Sequence, residues 1–281
     1  MHKINPEKTE AKMRQKISGN ACAMIDAYLS LPFGTRPNCP YFNNRRQKIR
    51  GSLRVVKGKG TPTEIAEECA IDAKFARVKI VDLSADKLKE FLIANDLGID
   101  CSGFAYHVLN ALCKERTGKN VQDFVKPLRT GFIGGLLGHL RPAENIGVIA
   151  FAHEKNSTAI KISEAKPGDV IVFIGTGNDK TYNHILVITA VEYMDKLDRN
   201  NDTDKNSTCE SIRISYAHSY AWPSDGIWGH GVRKGEILIH NDNLLDATWK
   251  EKGVTGNENY TFESAKNARE ISIRRIKFNY L

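Results

Sequence analysis

Three short apolar runs in the second half of the chain constrain its fold more than any other feature. Residues 170–174 read Val-Ile-Val-Phe-Ile, residues 183–191 Asn-His-Ile-Leu-Val-Ile-Thr-Ala-Val, and residues 211–217 Ser-Ile-Arg-Ile-Ser-Tyr-Ala. They are rich in β-branched residues, and each is bounded by breakers, the pattern of buried strands. Lys166-Pro167-Gly168-Asp169 is a turn signal before the first run, and a glycine-rich break separates it from the second. A polar loop over residues 198–207, expected to be disordered, leads to the third. If the last two runs pair as an antiparallel hairpin, the start of one lies beside the end of the other. His184 opens the second run and His218 follows the third, so the two become cross-strand neighbours, one able to orient the other.

A nucleophile for such a pair lies upstream. In Gly98-Ile99-Asp100-Cys101-Ser102-Gly103 a polar turn becomes a helix whose apolar face carries Phe104, Ala105, Val108, Leu109 and Leu112. A cysteine at a helix start meets unpaired backbone N–H groups and the positive end of the helix dipole, both of which favour the thiolate. Cys22, Cys39, Cys69, Cys113 and Cys209 lack that setting and form no Cys-x-x-Cys pair, so they are expected to be structural thiols. At 281 residues the chain can bury a core without disulfides. The remaining histidines (His2, His107, His139, His153, His230 and His240) show no comparable placement, and His107, two turns into the nucleophile helix, is expected to face away. A thiol at a helix start, a histidine at a strand start and a polar residue at the next strand's end form the nucleophile, base and orienter of a cysteine enzyme.

In this order the residues resemble the NlpC family of bacterial cell-wall cysteine peptidases, a branch of the papain-like superfamily. Its Asp-Cys-Ser-Gly motif is matched by Asp100-Cys101-Ser102-Gly103, its Gly-Asp before a buried strand by Gly168-Asp169, and its strand-leading histidine by His184. Its third catalytic position is matched by His218-Ser219, and its early Pro-aromatic-Gly by Pro32-Phe33-Gly34, so the likeness covers roughly residues 12–240. The resemblance implies an α+β, papain-like fold with the nucleophile helix packed on an antiparallel sheet. One catalytic domain then spans residues 1–281, with an inserted segment at 35–98 before the nucleophile and a C-terminal strand extension at 241–281. The family's connection before the nucleophile is short, and this one is long and partly helical. It also implies Cys101, His184 and His218 as catalytic residues. Asp100 and Ser102 would contact the substrate's free amine, as in members that cleave stem peptides, and Tyr41 would stand for the family's upstream tyrosine at the oxyanion or substrate site.

The reaction implied is thiolate attack on an amide carbonyl, with a peptide or amide bond of peptidoglycan, or a muropeptide, as substrate and no cofactor or metal. Two other readings stay open: a papain-like acyltransferase or deamidase, and a non-catalytic cell-wall-binding module. A net charge of +8 points to an anionic partner, but no nucleic-acid-binding signature accompanies it, and a solvated basic face is expected around Arg45, Arg46, Lys48, Arg50, Lys57, Lys59, Arg274 and Arg275. The glycine-rich residues 131–139 lack the Lys-Ser/Thr of a phosphate loop, and Asp195, Asp198, Asp202 and Asp204 lack the glycine and final glutamate of an EF-hand. No run reaches membrane-helix length, and Met1-His2-Lys3-Ile4-Asn5-Pro6 opens no signal peptide. The expected location is therefore cytoplasmic, with a non-signal or phage-associated route if the wall is the target.

Periodicity places a first helix over residues 8–30, with Met13, Ile17, Ala21, Met24, Ile25 and Tyr28 on one face. A short helix is expected near Thr63, a strand over residues 76–83, and a helix capped by Ser84 and stopped near Gly98. Together these would wall one side of the cleft. Gly118 ends the nucleophile helix, further strands follow over residues 235–240 and 270–278, and Trp222 and Trp228 line the cleft or pack beside it.

Overall fold

The computed structural model describes residues 14–43, 54–128, 141–194 and 211–280. The glycine-rich residues 131–139, the acidic loop 195–204, Met13, Arg45, Arg46, Lys48, Arg50, His2, His139 and Cys209 lie outside the described residues.

The apolar runs form the centre of a mixed α/β fold around one antiparallel sheet. Strands β1 (Arg14–Lys16), β2 (Ser157–Ile160), β3 (Val170–Thr176), β4 (Tyr182–Met194), β5 (Ser211–Tyr220), β6 (Gly231–Ile239), β7 (Thr248–Glu251), β8 (Val254–Thr255) and β9 (Glu270–Ile276) share it. Their order is β2-β9-β3-β4-β5-β6-β7-β8, and β1 pairs with the C-terminal end of β4 that β3 does not reach. Alternation divides the sheet's two faces. Val170, Val172, Ile174, Ile185 and Val187 join the helices in one core, while Ile171, Phe173, Leu186, Ile188, Tyr216 and Trp249 build a second core on the other face.

Four longer helices are α1 (Gly19–Leu29), α2 (Pro62–Ala76), α3 (Ala85–Ala94) and α4 (Cys101–Thr117). Asp100 caps α4 by accepting from the Gly103 N–H at 2.6 Å, and Gly118, in the left-handed conformation at φ 71°, ends it as expected. Gly103 is required by packing, because a Cβ there would stand 2.6 Å from the Gly58 carbonyl oxygen. Gly168 is required by conformation as well as space: its φ is +91° and a Cβ would meet Leu112 of α4 at 2.3 Å. The adjoining Asp169 is fully buried and accepts from Arg275, Asn279 and the Lys166 N–H, which fastens the start of β3 to the end of the chain. No helix among the described residues is long and apolar enough to cross a membrane.

Several expected elements differ. Within the described part of the helix expected over 8–30, residues 14–30 form β1 and then α1; the β1 amides join β4, and Ile17-Ser18 separate the two, with Ser18 at the N-cap of α1. Ala21, Ile25 and Tyr28 are nevertheless its buried face. The short helix near Thr63 runs for 15 residues from a full capping box between Thr61 and Glu64. The strand over 76–83 does not form: Arg77 is left-handed at φ 57°, a 3-10 turn follows at Ile80–Asp82, and Val81 is 90% exposed. Ser84 caps α3 as expected, accepting from the Lys87 N–H at 3.3 Å. In the C-terminal segment, β9 lies between β2 and β3.

His107 and His184 are buried and held neutral, His107 pushed down to about 4 by burial and His184 well below its ordinary 6.5 by burial, then by His218. Depressed folded-state values mean stability that is complete above about pH 6.5 and is lost as the unfolded chain alone takes up protons below it. Each such histidine costs up to about 1.4 kcal/mol per pH unit. We therefore expect the urea unfolding midpoint to be lower at pH 5.0 than at pH 7.5; an equal or higher midpoint contradicts this.

Candidate active site

The β4–β5 ladder ends at Val187↔Ala217, whereas β5 stays paired with β6 as far as Tyr220↔Gly231. The first turn of α4 enters where the strands part. Ser219 Oγ–H donates to the Ile99 carbonyl at 2.8 Å, Cys101 Sγ lies 4.0 Å from the Asn183 carbonyl oxygen, and the Ile185 N–H faces the sulfur. Cys101 and His184 line one cavity of about 710 Å³, shared with Tyr41, Asp100, Ser102 and Tyr220. The structure thus brings five of the six expected site residues to one cavity, and the sixth, His218, directly behind it.

His218 is fully buried, and its Nδ1 lies 2.7 Å from His184 Nε2. The register makes the two diagonal neighbours, and Tyr220, which follows His218 by two residues, stacks on the His184 ring at 4.0 Å between centroids. Behind His218 stands a residue that sequence reasoning missed. Glu251, the last residue of β7, places Oε2 3.0 Å from His218 Nε2. The same oxygen accepts from Tyr216 at 2.7 Å and from Thr261 at 3.0 Å, while Arg233 Nη1 stands 3.6 Å from Oε1. Burial alone would raise the Glu251 carboxyl; the facing His218, then Tyr216 and Arg233, outweigh it and hold the group below the usual carboxylate range.

That carboxylate decides the protons. Ionised, it only accepts, so His218 donates through Nε2. With a single proton on His218, its Nδ1 accepts from His184 Nε2–H, and His184 keeps a lone pair on Nδ1. Glu251, His218 and His184 form a buried relay that presents a base to the cavity.

The thiol itself departs from expectation. The helix start was expected to favour thiolate, but burial pushes Cys101 up to about 12 and Asp100 adds to this, against opposing effects of Lys59 and the N–H groups of Ile185 and Ser102. Desolvation outweighs the helix terminus because the sulfur is enclosed. The resting pair is neutral thiol and neutral imidazole.

Tyr41 is set beside the nucleophile by a parallel bridge to Ile99, and it accepts from Asn43 at 3.2 Å, leaving its own O–H to donate. Asp100 and Ser102 line the cavity but are engaged within the chain: Lys59 Nζ lies 2.8 Å from Asp100 Oδ1 and 2.5 Å from Ser102 Oγ. His107 faces away, its Nε2–H donating to the Lys59 carbonyl at 2.8 Å. Neither Trp222, buried on Thr261 at 3.0 Å, nor the exposed Trp228 lines the cavity. The inserted segment contributes Tyr41 and Asn43 to the lining; further parts include residues between Asn145 and Ala150, the β3–β4 turn at Thr176 to Asn183, and the helix Tyr260–Lys266. No family model, curated protein or solved structure matches the chain.

A neutral resting pair has a kinetic signature. Alkylation of Cys101 by iodoacetamide should rise close to tenfold per pH unit from pH 7 to 9 without a plateau, since only the thiolate reacts. A rate that stays flat to below pH 7 would instead reveal a preformed thiolate–imidazolium pair.

Proposed function

We propose that the chain is a cysteine hydrolase of amide bonds, built on the papain-like plan and related to the NlpC family, acting on peptide stems of peptidoglycan or on muropeptides. The observation that carries the catalytic part is the Glu251–His218–His184 relay, whose last member lines the same cavity as Cys101. A non-catalytic binding module has no use for a buried carboxylate whose partners orient a base. The wall substrate is what the resemblance of Asp100-Cys101-Ser102-Gly103, Gly168-Asp169 and His184 implies.

The chemistry follows from the resting protonation. As the substrate carbonyl meets Cys101, the thiol proton passes to His184 Nδ1 and the sulfur bonds to carbon. The oxyanion so formed meets the Cys101 N–H, which has no partner within α4, and the Tyr41 O–H. His184 then returns the proton to the leaving amine as the C–N bond breaks. Water, deprotonated by the same nitrogen, then attacks the thioester carbon; the carbon–sulfur bond breaks, the acyl group leaves as the acid and the proton returns to the Cys101 sulfur. Through both steps His218 carries the positive charge of the imidazolium toward Glu251, whose role is positioning and electrostatic support.

Cys101→Ser and His184→Ala should each lower the release of amino groups from purified peptidoglycan by about 10³-fold or more, with the fold retained. Glu251→Gln should reduce turnover at least tenfold with KM little changed. It should also move the acid limb of the pH profile to lower pH, because the lost carboxylate no longer favours protonated imidazole. Full activity of Cys101→Ser would remove the proposal, and an unmoved acid limb in Glu251→Gln would reduce Glu251 to a structural residue.

A further inference from the structure

The two residues flanking the nucleophile, Asp100 and Ser102, are bound to a cation that the chain supplies itself. Lys59, Asp100 and Ser102 are 7%, 7% and 6% exposed. Lys59 Nζ donates to Asp100 Oδ1 at 2.8 Å and to Ser102 Oγ at 2.5 Å, and the Ser102 hydroxyl donates to the same Asp100 oxygen at 3.0 Å. That oxygen also caps α4 through the Gly103 N–H. Lys59 is fixed from its backbone as well, by a bridge to Ile99 and by the His107 bond to its carbonyl. Asp100 and Ser102 face the cavity, and Lys59 stands behind them.

Among the described residues that line the cavity, Asp100 alone carries a formal charge at neutral pH, because His184 is held neutral. With an ammonium 2.8 Å away, Asp100 offers a dipole and no net charge. A substrate ammonium brought to this carboxylate meets a like charge in a poorly solvated place, where repulsion is little screened. The rest of the lining is uncharged: aromatic at Tyr41, Tyr220 and Tyr260, aliphatic at Val148 and Ile149, and neutral polar at Asn43, Asn145, Thr176 and Ser264. Such walls favour an uncharged group with a few polar contacts.

We propose that Lys59 is an internal counter-ion that sets acyl-side specificity: the site takes amides whose amino group next to the scissile carbonyl is already acylated, and it discriminates against free amino termini. The proposal rests on Cys101 being the nucleophile, and it reverses the role of free-amine contact that the resemblance implies for Asp100 and Ser102.

The test compares two affinity probes, N-acetyl-alanyl chloromethyl ketone and alanyl chloromethyl ketone. In each the sulfur–carbon bond forms as chloride leaves and the thiol proton passes to His184. Rates are read by peptide mass mapping of Cys101 in the full-length protein. The acetylated probe should label Cys101 at least tenfold faster. Lys59→Met, which exposes the Asp100 charge, should raise the relative rate of the free-amine probe tenfold or more, and adding Asp100→Asn, which keeps a capping side chain, should cancel that gain. Equal or faster labelling of the wild-type protein by the free-amine probe overturns the specificity proposal and leaves the nucleophile in place. Failure of both probes to label Cys101 overturns the nucleophile reading and this proposal with it.

Discussion

The arrangement depends on one buried charge. Glu251 is 1% exposed, and a carboxylate removed from water is tolerated only where hydrogen bonds and opposite charge replace its hydration. Its partners come from separate parts of the chain: Tyr216 and His218 from β5, Arg233 from β6 and Thr261 from the helix Tyr260–Lys266. The three hydrogen bonds to Oε2 and the Arg233 charge 3.6 Å from Oε1 therefore tie the end of the sheet to that helix. With a single proton on His218, it also sets the proton positions along His218 and His184 and leaves His184 a lone pair on Nδ1. Structure and chemistry are coupled through the same oxygen.

A second constraint brings Cys101 to the cavity that His184 lines. The parting of β4 and β5 beyond Val187↔Ala217 leaves backbone groups unpaired, and the start of α4 occupies the opening with Cys101 beside Asn183 and Ile185. Close approach from the other side is possible because Gly103 has no Cβ to strike Gly58, which brings Lys59 to the Asp100 carboxylate. One aspartate thus caps the helix, neutralises a lysine and borders the cavity. The enclosure that results keeps the sulfur protonated, the form least prone to oxidation and alkylation.

Much of this was legible in the residues alone. The β-branched runs of β3, β4 and β5, the cap of α3 by Ser84, and the extent of α4 from Cys101 to the Gly118 stop follow from local chemistry that the tertiary structure keeps. The proximity of His184 to His218 follows from hairpin topology. Glu251 was hidden because Lys250-Glu251-Lys252 reads as a solvated charged turn, and a four-residue strand gives no period to show which side is buried. β1, Arg-Gln-Lys, is likewise polar throughout and gains its strand conformation only from β4. The run Val78-Lys79-Ile80-Val81 carries strand propensity but finds no sheet edge, and left-handed Arg77 turns it away. The state of the thiol is not legible in the sequence for a related reason: the helix terminus is a local feature, whereas desolvation depends on everything that closes over the sulfur.

Nitrogen-15 NMR of the imidazole rings of His184 and His218 at neutral pH tests the relay most directly. The account predicts that both rings are neutral with the proton on Nε2 and an unprotonated Nδ1, so that His184 presents its lone pair to Cys101. A proton on His184 Nδ1, or a His218 protonated on both nitrogens at that pH, would contradict it, because His184 would then have no free nitrogen to accept the thiol proton.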